Sequence, residues 1–391
     1  MINDIYYNPT KILFGRDTEL QVGTEAARYG KRILLHYGSA SAKKSGLIDR
    51  VKKSLAEAGL EVTELSGVVG NPRLSKVLEG VALCKQHDIE LILAVGGGSV
   101  IDSSKAIAIG ARNDGDLWQD YFVDEKPFSD PLPVATVLTL PGAGSESSDG
   151  CVISNEQTGQ KLARDDNSLR PVFSILNPEL TYTLPAYFTA AGVCDAIAHV
   201  MERYFTNTTG VETGDRMCEA VIRSLMTGGK RAVREPMNYE ARAEVMWACK
   251  VAHDNCLGVG REQDWGSHMI EHELSAKYDI SHGAGLAVIF PAWMKYCMKH
   301  DVARFAQFAC RIFDLEYCFR DPTVTANYGI KFLMRFFESI NMPTSLEELG
   351  ITDKACLAEM AQKCAENSGG TVGNFVKLTK DDILKILELA M

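Results

Sequence analysis

Hydrophobic residues follow two different patterns along the chain. Up to about residue 187, short β-branched or aliphatic runs, such as 31–37 and 90–95, alternate with segments of helical apolar spacing, such as 47–58 and 74–87. The run 90–95 is apolar after its first residue, which is typical of a strand buried on both faces of a sheet. Strands that alternate with helices in this way predict a parallel sheet covered by helices.

After about residue 187 one long helical pattern follows another, and β-branched runs are absent. The predicted helices cover residues 191–205, 214–226, 239–257, 264–277, 283–300, 302–312 and 325–340, with two more near the end. We therefore predict two domains: an α/β domain over residues 1–187 and an all-helical domain over residues 188–391.

The composition excludes several classes of protein. The chain is 46% apolar and 24% charged, as in an ordinary globular protein, and its net charge of -10 argues against a nucleic-acid or acidic-membrane partner. No basic segment followed by an apolar one opens the chain, and no apolar run reaches the roughly 20 residues that span a bilayer. The 11 cysteines include no C-x-x-C pair, so we expect reduced thiols and a cytoplasmic protein.

Four side chains have a spacing that suits a metal ion. Asp195 and His199 are four residues apart, so on a helix both side chains aim at one point. His268 follows 69 residues later, and His282 follows after a further 14. One carboxylate oxygen and three imidazole nitrogens suit a divalent zinc or iron ion and leave a position open for water or substrate. The alternative is a solvated helix face with two unrelated histidines downstream.

A glycine-rich turn from Gly96 to Ser99 follows the predicted strand 90–95 and opens a helical pattern. Glycines let the backbone approach an anion, and a helix N-terminus presents free N–H groups to it, so the turn predicts a phosphate-binding cradle. It is not a P-loop, and Ile101 stands where G-x-G-x-x-G would have its third glycine, so a plain tight turn is the alternative. Asp102 is either a surface carboxylate favoured by the helix dipole or a partner for a cofactor amide.

A second polar loop, residues 139–148, follows the predicted strand 134–139. Its small residues would let a ring lie against the backbone. An ordinary surface loop is the alternative, because small and polar residues suit that equally well.

Taken in order, these motifs resemble those of the iron-containing (group III) alcohol dehydrogenases, especially the butanol dehydrogenase and broad aldehyde reductase branch. The match runs nearly end to end. It includes Asn8-Pro9-Thr10-Lys11-Ile12 with Phe14-Gly15, Gly70-Asn71-Pro72, the segment Gly96 to Lys105, Leu138 to Pro141 with Gly144-Ser145-Glu146, Gly192-Val193 with Asp195-Ala196 and His199, and the segment His268 to Gly283.

The resemblance implies a dehydroquinate synthase-like fold, a homodimer, and NAD(P)H-linked interconversion of small primary alcohols and aldehydes. It implies that one metal ion, iron or zinc, is held by Asp195, His199, His268 and His282, and that His272 lies beside the substrate. It also implies a set of residues at the dinucleotide: Asn71, Gly97, Gly98, Ser99, Asp102, Thr139, Leu140, Ser145, Ser148 and Lys161.

The implied chemistry is hydride transfer to or from the nicotinamide C4, with the metal polarising the substrate oxygen. We expect it in a cleft between the two domains, at the carboxyl ends of the strands. His272 is one turn from His268, so we expect it to face the same site and relay the alcohol proton to solvent. A structural hydrogen bond to a neighbouring carbonyl is the alternative for His272.

The residues after the strand that ends at Tyr37 predict NADPH rather than NADH. NAD-preferring relatives in the family place an Asp here, and its carboxylate would repel a 2′-phosphate. In this chain Gly38 removes that carboxylate, Ser39 and Ser41 can donate hydrogen bonds, and Lys43 supplies positive charge. The alternative is that the lysine is merely solvated and that both cofactors are accepted.

Two other functions stay open. Residues 268–272 fit the H-x-x-E-H pattern of inverted zinc peptidases, with Glu271 as the base, although this leaves the glycine-rich turn unexplained. A polyol or lactaldehyde-type dehydrogenase of the same fold is the second alternative. Trp265 and Leu257 suggest an apolar substrate pocket, but they are equally suited to the core.

Overall fold

A computed structural model of the chain describes residues 1–38 and 41–391. The predicted cofactor residue Ser39 lies outside the described residues, and so does the side chain of Ser41.

The described chain forms two compact units. The first, which we call the sheet unit, contains Tyr7–Leu184 and Pro236–Lys250. The second, the helical unit, contains Met1–Tyr6, Pro185–Glu235 and Val251–Met391. The sequence pattern predicts one boundary, near residue 187. It does not predict that Met1–Tyr6 belongs to the helical unit and Pro236–Lys250 to the sheet unit, because these placements depend on contacts between residues distant in sequence.

A parallel sheet forms the centre of the sheet unit. Its six strands lie in the order β1-β8-β5-β4-β2-β3 and all pair in parallel, while β6 and β7 form a separate antiparallel pair. The strands are β1 (Lys11–Phe14), β2 (Arg32–Gly38), β3 (Glu61–Val68), β4 (Leu91–Gly97), β5 (Val134–Leu140), β6 (Gly150–Asn155), β7 (Gln160–Asp165) and β8 (Phe173–Leu176).

Helices cover both faces of this sheet. They are α1 (Val22–Ala26), α2 (Ser41–Lys44), α3 (Leu47–Glu57), α4 (Leu74–Gln86) and α5 (Gly98–Arg112). Successive β4 side chains point to opposite faces: Leu91, Leu93 and Val95 pack in one cluster with α1 and α3, while Ile92 packs in another with α4 and α5. Every residue from 91 to 95 is fully buried, which confirms the predicted α/β fold with a strand buried on both faces.

The helical unit consists mainly of long helices, as the sequence predicts. They are α6 (Ala186–Tyr204), α7 (Glu212–Arg234), α9 (Gly266–Tyr278), α10 (His282–Cys297), α11 (Val302–Phe313), α12 (Pro322–Ser339), α13 (Ala355–Asn367) and α14 (Lys380–Leu389), and α8 (Tyr239–His253) has residues in both units. Over the described residues, no helix is both long and apolar enough to cross a membrane.

The chain changes direction across the sheet between β2 and β4. From β2 it passes to β3 on one side, and from β3 it returns to β4 on the other side of β2. In open parallel sheets, ligands bind outside the carboxyl ends of the strands that flank such a point. Gly38 ends β2 and Gly97 ends β4, so two of the predicted cofactor residues lie there.

His36 is buried in β2, and we expect its burial to make the folded protein less stable at low pH. Its Nδ1 lies 2.9 Å from the Leu65 carbonyl oxygen and its Nε2 lies 2.9 Å from the Ser103 hydroxyl, so a neutral ring satisfies both contacts. Burial lowers the pKa of His36 from 6.5 to about 4. Between these values the unfolded chain binds more protons than the folded one, so stability falls as the pH drops.

We expect this histidine to cost the fold about 2 kcal/mol of unfolding free energy on going from pH 7.5 to pH 5. Urea unfolding of the wild type and of His36→Gln, at both pH values, measures the effect. The contributions of the other titrating groups cancel in the difference between the two proteins. His36→Gln should be the less stable protein at pH 7.5, and the gap should shrink at pH 5. An unchanged gap would contradict the expectation.

Candidate metal centre and dinucleotide site

The four predicted metal ligands come from three helices of the helical unit. Asp195 and His199 lie on α6, His268 lies in the first turn of α9, and His282 is the first residue of α10. Residues 189–204 of α6 are buried without interruption, so each polar side chain there needs a partner or a ligand.

The four side chains converge. One ligand atom each from Asp195, His268 and His282 lie within 4.8 Å of one another. The Nε2 atom of His199 lies 3.6 Å from Asp195 Oδ1, and that of His282 lies 3.9 Å from it. These two distances are below about 4.2 Å, the length of two metal–nitrogen bonds, so one ion can contact both atoms of each pair. His199 is outside the 4.8 Å group, although its ring centroid is only 4.8 Å from that of His268.

The chemical state of these side chains fits a divalent cation. Burial, followed by the neighbouring His253 and His268, holds the pKa of His199 well below its usual value, so its ring is neutral as a metal ligand must be. The buried Nε2 of His268 makes no hydrogen bond to any residue among 1–38 and 41–391. His282 is the most exposed of the four, at 25% of its side chain, so the site is open on its side.

Two buried glutamates lie behind these histidines. Glu202 Oε1 accepts a hydrogen bond from His268 Nδ1 at 2.7 Å, and Glu271 accepts one from His282 Nδ1. Both carboxylates are fully buried. His272 is also buried, and its ring centroid lies 5.5 Å from that of His282, so it adjoins the ligand group.

Aromatic rings form a wall beside His199. The ring of His253 lies 4.0 Å from that of His199, and the Trp265 indole lies 5.1 Å from the ring of His268. The Arg203 guanidinium lies 4.9 Å from the centre of that indole, a cation–π distance that holds it in place. Leu257, in contrast, is buried in the core.

The glycine-rich turn of the sheet unit leaves no room for side chains. A Cβ on Gly97 would lie 2.9 Å from Leu140 Cβ, and one on Gly98 would lie 2.7 Å from Ala143 Cβ. The turn therefore lies against the end of β5, where Thr139 and Leu140 are. Ser99 is in the first turn of α5, whose N-terminal N–H groups suit a phosphate.

Four of the other predicted cofactor residues form two hydrogen-bonded pairs. Asp102 Oδ1 accepts from the Ser145 hydroxyl at 2.6 Å, and its Oδ2 accepts from the Val152 N–H at 3.2 Å. Asn71 Oδ1 accepts from Lys161 Nζ at 3.1 Å, and both side chains are buried. Asp102 thus ties α5 to the loop before β6 and to β6 itself, so it is not simply a surface carboxylate at a helix start.

Lys105 is a buried ammonium that sequence reasoning left without a role. It donates to the carbonyl oxygens of Ser148 at 2.9 Å and Gly150 at 2.8 Å, so it fixes the loop that carries Ser148. Its burial lowers its pKa. Its position three residues after Asp102 on α5 was the signal, since the two side chains share one helix face.

The end of β2 has space for a ligand. Among the described residues, a Cβ on Gly38 would meet only the Val68 carbonyl oxygen, at 3.6 Å, an ordinary contact. Lys43 is exposed in the following helix, α2. The pKa of Glu64 on β3 is lowered first by its hydrogen bond from Lys52 and also by the charge of Lys43.

Comparison with known proteins identifies both parts of the chain. A family model described as iron-containing alcohol dehydrogenase matches residues 9–178, and a model of the C-terminal part of the Fe-containing alcohol dehydrogenase family matches residues 189–391.

Individual proteins of known name match over nearly the whole chain. The chain is 39% identical to NADH-dependent butanol dehydrogenase A of Clostridium acetobutylicum, over 99% of each chain, and 35% identical to NADPH-dependent aldehyde reductase YqhD of Escherichia coli, over 100% of each. The crystal structure of NADH-dependent butanol dehydrogenase A from Thermotoga maritima superposes with a TM-score of 0.96 at 38% identity, covering 100% of this chain and 99% of that one.

Proposed function

The chain belongs to the iron-containing alcohol dehydrogenase family, and we propose that it interconverts small primary alcohols and aldehydes with NAD(P)H and one divalent metal ion. The observation that carries the proposal is the convergence of Asp195, His268 and His282, with His199 beside them, in a chain that matches both family models. The family match gives no support to the peptidase alternative. Moreover, Glu271 is fully buried and bonded to His282, so it is not free to act as a peptidase base.

The four ligands would hold the ion through one oxygen and three nitrogens, a set that suits iron or zinc. The ion, when bound, supplies Lewis-acid stabilisation of negative charge on the substrate oxygen. His282 is the ligand with the most exposed side chain, so substrate would approach from its side. The indole of Trp265 offers an apolar surface near the rings of His199 and His268, which suits the carbon chain of an aliphatic substrate.

His272 is our candidate for moving the alcohol proton. Its ring lies 5.5 Å from that of His282, and it is one helical turn from His268. An imidazole at this position can accept the proton from the substrate hydroxyl and pass it towards solvent.

The dinucleotide would lie at the carboxyl ends of β2, β4 and β5. Gly97 and Gly98 lie close to the end of β5 and carry no side chains that would cover the start of α5. The backbone N–H groups of the first turn of α5 could therefore bind a diphosphate. The paired side chains of Asn71 with Lys161, and of Asp102 with Ser145, would form the sides of that site.

A kinetic screen tests the proposal. The purified protein, loaded with iron or zinc, should reduce aldehydes of two to six carbons with NADPH or NADH and oxidise the matching alcohols. Higher kcat/KM for diols or hydroxyaldehydes would favour the polyol or lactaldehyde alternative. In the same assay, His272→Gln should lower kcat and shift its pH profile, because a relay is removed. No turnover of any alcohol or aldehyde with either metal would overturn the proposal.

We propose that NADPH is preferred over NADH. Gly38 puts no carboxylate at the end of β2, and the exposed Lys43 supplies positive charge nearby. The names of the relatives do not support this preference: four proteins that are 37% to 42% identical to the chain are named NADH-dependent, and one that is 35% identical is named NADPH-dependent. The proposal therefore rests on the residues at the end of β2. We expect Gly38→Asp to lower kcat/KM for NADPH at least tenfold while sparing NADH, tenfold being about 1.4 kcal/mol.

Gly38→Asn is the matched control, because it has nearly the same shape without the charge. It should keep more of the NADPH activity than Gly38→Asp. A wild-type enzyme with higher kcat/KM for NADH than for NADPH would refute the preference.

We propose a homodimer in which the segment from Tyr6 to Phe14 extends the sheet of the partner. Within the part of the chain that the structure describes, β1 is an edge strand that pairs with β8 alone, and edge strands invite pairing with another chain. Phe14 and Trp247 expose large parts of their rings beside this edge, with their centroids 5.7 Å apart. Light scattering should give twice the chain mass at micromolar concentration, and a strict monomer would contradict the proposal.

We also propose a cytoplasmic location. None of the 11 cysteines forms a disulfide within the described residues, and the cytoplasm is where thiols are kept reduced. Recovery of the active enzyme from the secreted fraction of cells would contradict it.

A further inference from the structure

Two of the proposed metal ligands each turn one ring nitrogen towards a buried glutamate. His268 Nδ1 lies 2.7 Å from Glu202 Oε1, and His282 Nδ1 contacts Glu271 Oε2. The exposed fraction of both glutamates is zero. Because a carboxylate only accepts hydrogen bonds, Nδ1 of each histidine carries the hydrogen. The lone pair of each ring is therefore on Nε2.

The Nε2 atoms are those that face the ligand group. Nε2 of His282 lies 3.9 Å from Asp195 Oδ1, and the buried Nε2 of His268 makes no hydrogen bond within the described residues. A carboxylate behind an imidazole fixes the orientation of the ring and raises its basicity. We infer that Glu202 and Glu271 are positioning residues that raise the metal affinity of His268 and His282. This inference rests on the proposed metal site.

Glu202 also joins the helices that carry the ligands. It lies on α6, three residues after His199, and it accepts hydrogen bonds from the Trp265 N–H at 2.9 Å and the Ser267 hydroxyl at 2.6 Å. It thereby caps the start of α9, immediately before His268. One carboxylate on the helix of the first two ligands thus sets both the helix start and the ring of the third.

Glu271 is held in place from two sides. The Ser275 hydroxyl, one turn later on α9, donates to its Oε1. On α10, Gly285 lies so close that an added Cβ would be 2.5 Å from that oxygen. Glycine at 285 therefore makes room for the carboxylate that orients His282.

Zinc titration of the apoprotein, in competition with a chromophoric chelator, measures the effect. We expect Glu202→Gln and Glu271→Gln to bind zinc 10- to 100-fold more weakly than the wild type, as is usual when a carboxylate behind a metal-binding histidine is removed. Gln keeps an acceptor oxygen, so the fold should survive. Gly285→Ala leaves every carboxylate in place but displaces Glu271, and it should weaken zinc binding in the same direction.

Glu273→Gln is the matched control. Glu273 is a buried carboxylate on α9, but its Oε1 accepts a hydrogen bond from Asn367 Nδ2 at 2.9 Å rather than from one of the proposed ligand histidines. It should bind zinc as tightly as the wild type. A second readout is the visible spectrum of the cobalt(II)-loaded protein. It should change in the Glu202 and Glu271 variants, because the ligand field from the histidine nitrogens changes, and it should stay as in the wild type in Glu273→Gln.

The possible outcomes are distinct. If the wild type binds zinc tightly and the glutamine variants match Glu273→Gln in affinity and cobalt spectrum, the inference is wrong while the metal site stands. If Glu202→Gln does not fold, Glu271→Gln and Gly285→Ala decide the inference, and wild-type affinity in both would overturn it. If the wild type itself binds no zinc or cobalt, the proposed metal site fails and the inference fails with it.

Discussion

His268→Ala should lose the bound metal and nearly all turnover while the fold survives. The substitution removes an imidazole whose buried Nε2 has no hydrogen-bond partner in the described residues, so no hydrogen bond is lost on the side of the ring that faces the proposed metal. Without the ion, negative charge on the substrate oxygen loses a stabilisation of several kcal/mol, and kcat should fall about 1,000-fold or more. The same result is expected for alanine at Asp195, His199 and His282.

Metal analysis, circular dichroism and dinucleotide titration separate this loss from unfolding. The variant should still bind NADPH, because the predicted dinucleotide residues are in the sheet unit whereas the ligands are in the helical unit. His87→Ala is the control, since His87 is exposed at the end of α4. A metal-free His268→Ala protein with full activity would refute the proposal that the metal is needed for turnover.

The sheet could be predicted from the sequence where burial dictates composition. The run from Leu91 to Val95 must be apolar on both faces, and it reads as a buried strand for that reason. The four-residue strand β8 cannot be predicted from the hydrophobic pattern, because so short a run has no readable period. The hairpin of β6 and β7 was also missed, since the burial pattern of β7 is mixed rather than alternating.

Helix ends were less predictable than helices. The predicted helix 191–205 begins at Ala186, directly after Pro185, because proline supplies a suitable boundary where the apolar pattern is still weak. The predicted helix 283–300 ends at Cys297 and continues as a 3-10 turn over Met298–His300. In both cases local hydrogen bonds determine where the helix begins or ends, and these bonds cannot be inferred from the spacing of hydrophobic residues.

The candidate site divides in the same way. The spacing of Asp195 and His199 places both on one face of a helix, so this pair was visible in the sequence. Glu202 was one further turn along that face, yet its partner His268 lies 66 residues away, and only the fold brings the two together. Residues that would bind a ligand directly are therefore easier to recognise in the sequence than residues that position another side chain.

Gly283→Ala should lower the stability of the fold more than most other glycine-to-alanine substitutions in the helical unit. An added Cβ would lie 2.0 Å from the carbonyl oxygen of Ala191 and 2.7 Å from its carbonyl carbon, both backbone atoms that cannot rotate away. Alanine normally stabilises a helix relative to glycine by up to about 1 kcal/mol, so the sign of the effect depends on this contact. Forcing α10 and α6 apart should instead cost about 3 kcal/mol.

The same displacement should reach the metal site, because Gly283 follows His282 on α10 and Ala191 is one turn before Asp195 on α6. We therefore expect Gly283→Ala to lower both the urea midpoint and the zinc affinity. Gly70→Ala is the control, because a Cβ there meets no atom of residues 1–38 or 41–391 within 4 Å and the backbone of Gly70 is outside the left-handed region. If Gly283→Ala proves as stable as Gly70→Ala and binds zinc as the wild type does, the two helices do not need this close approach.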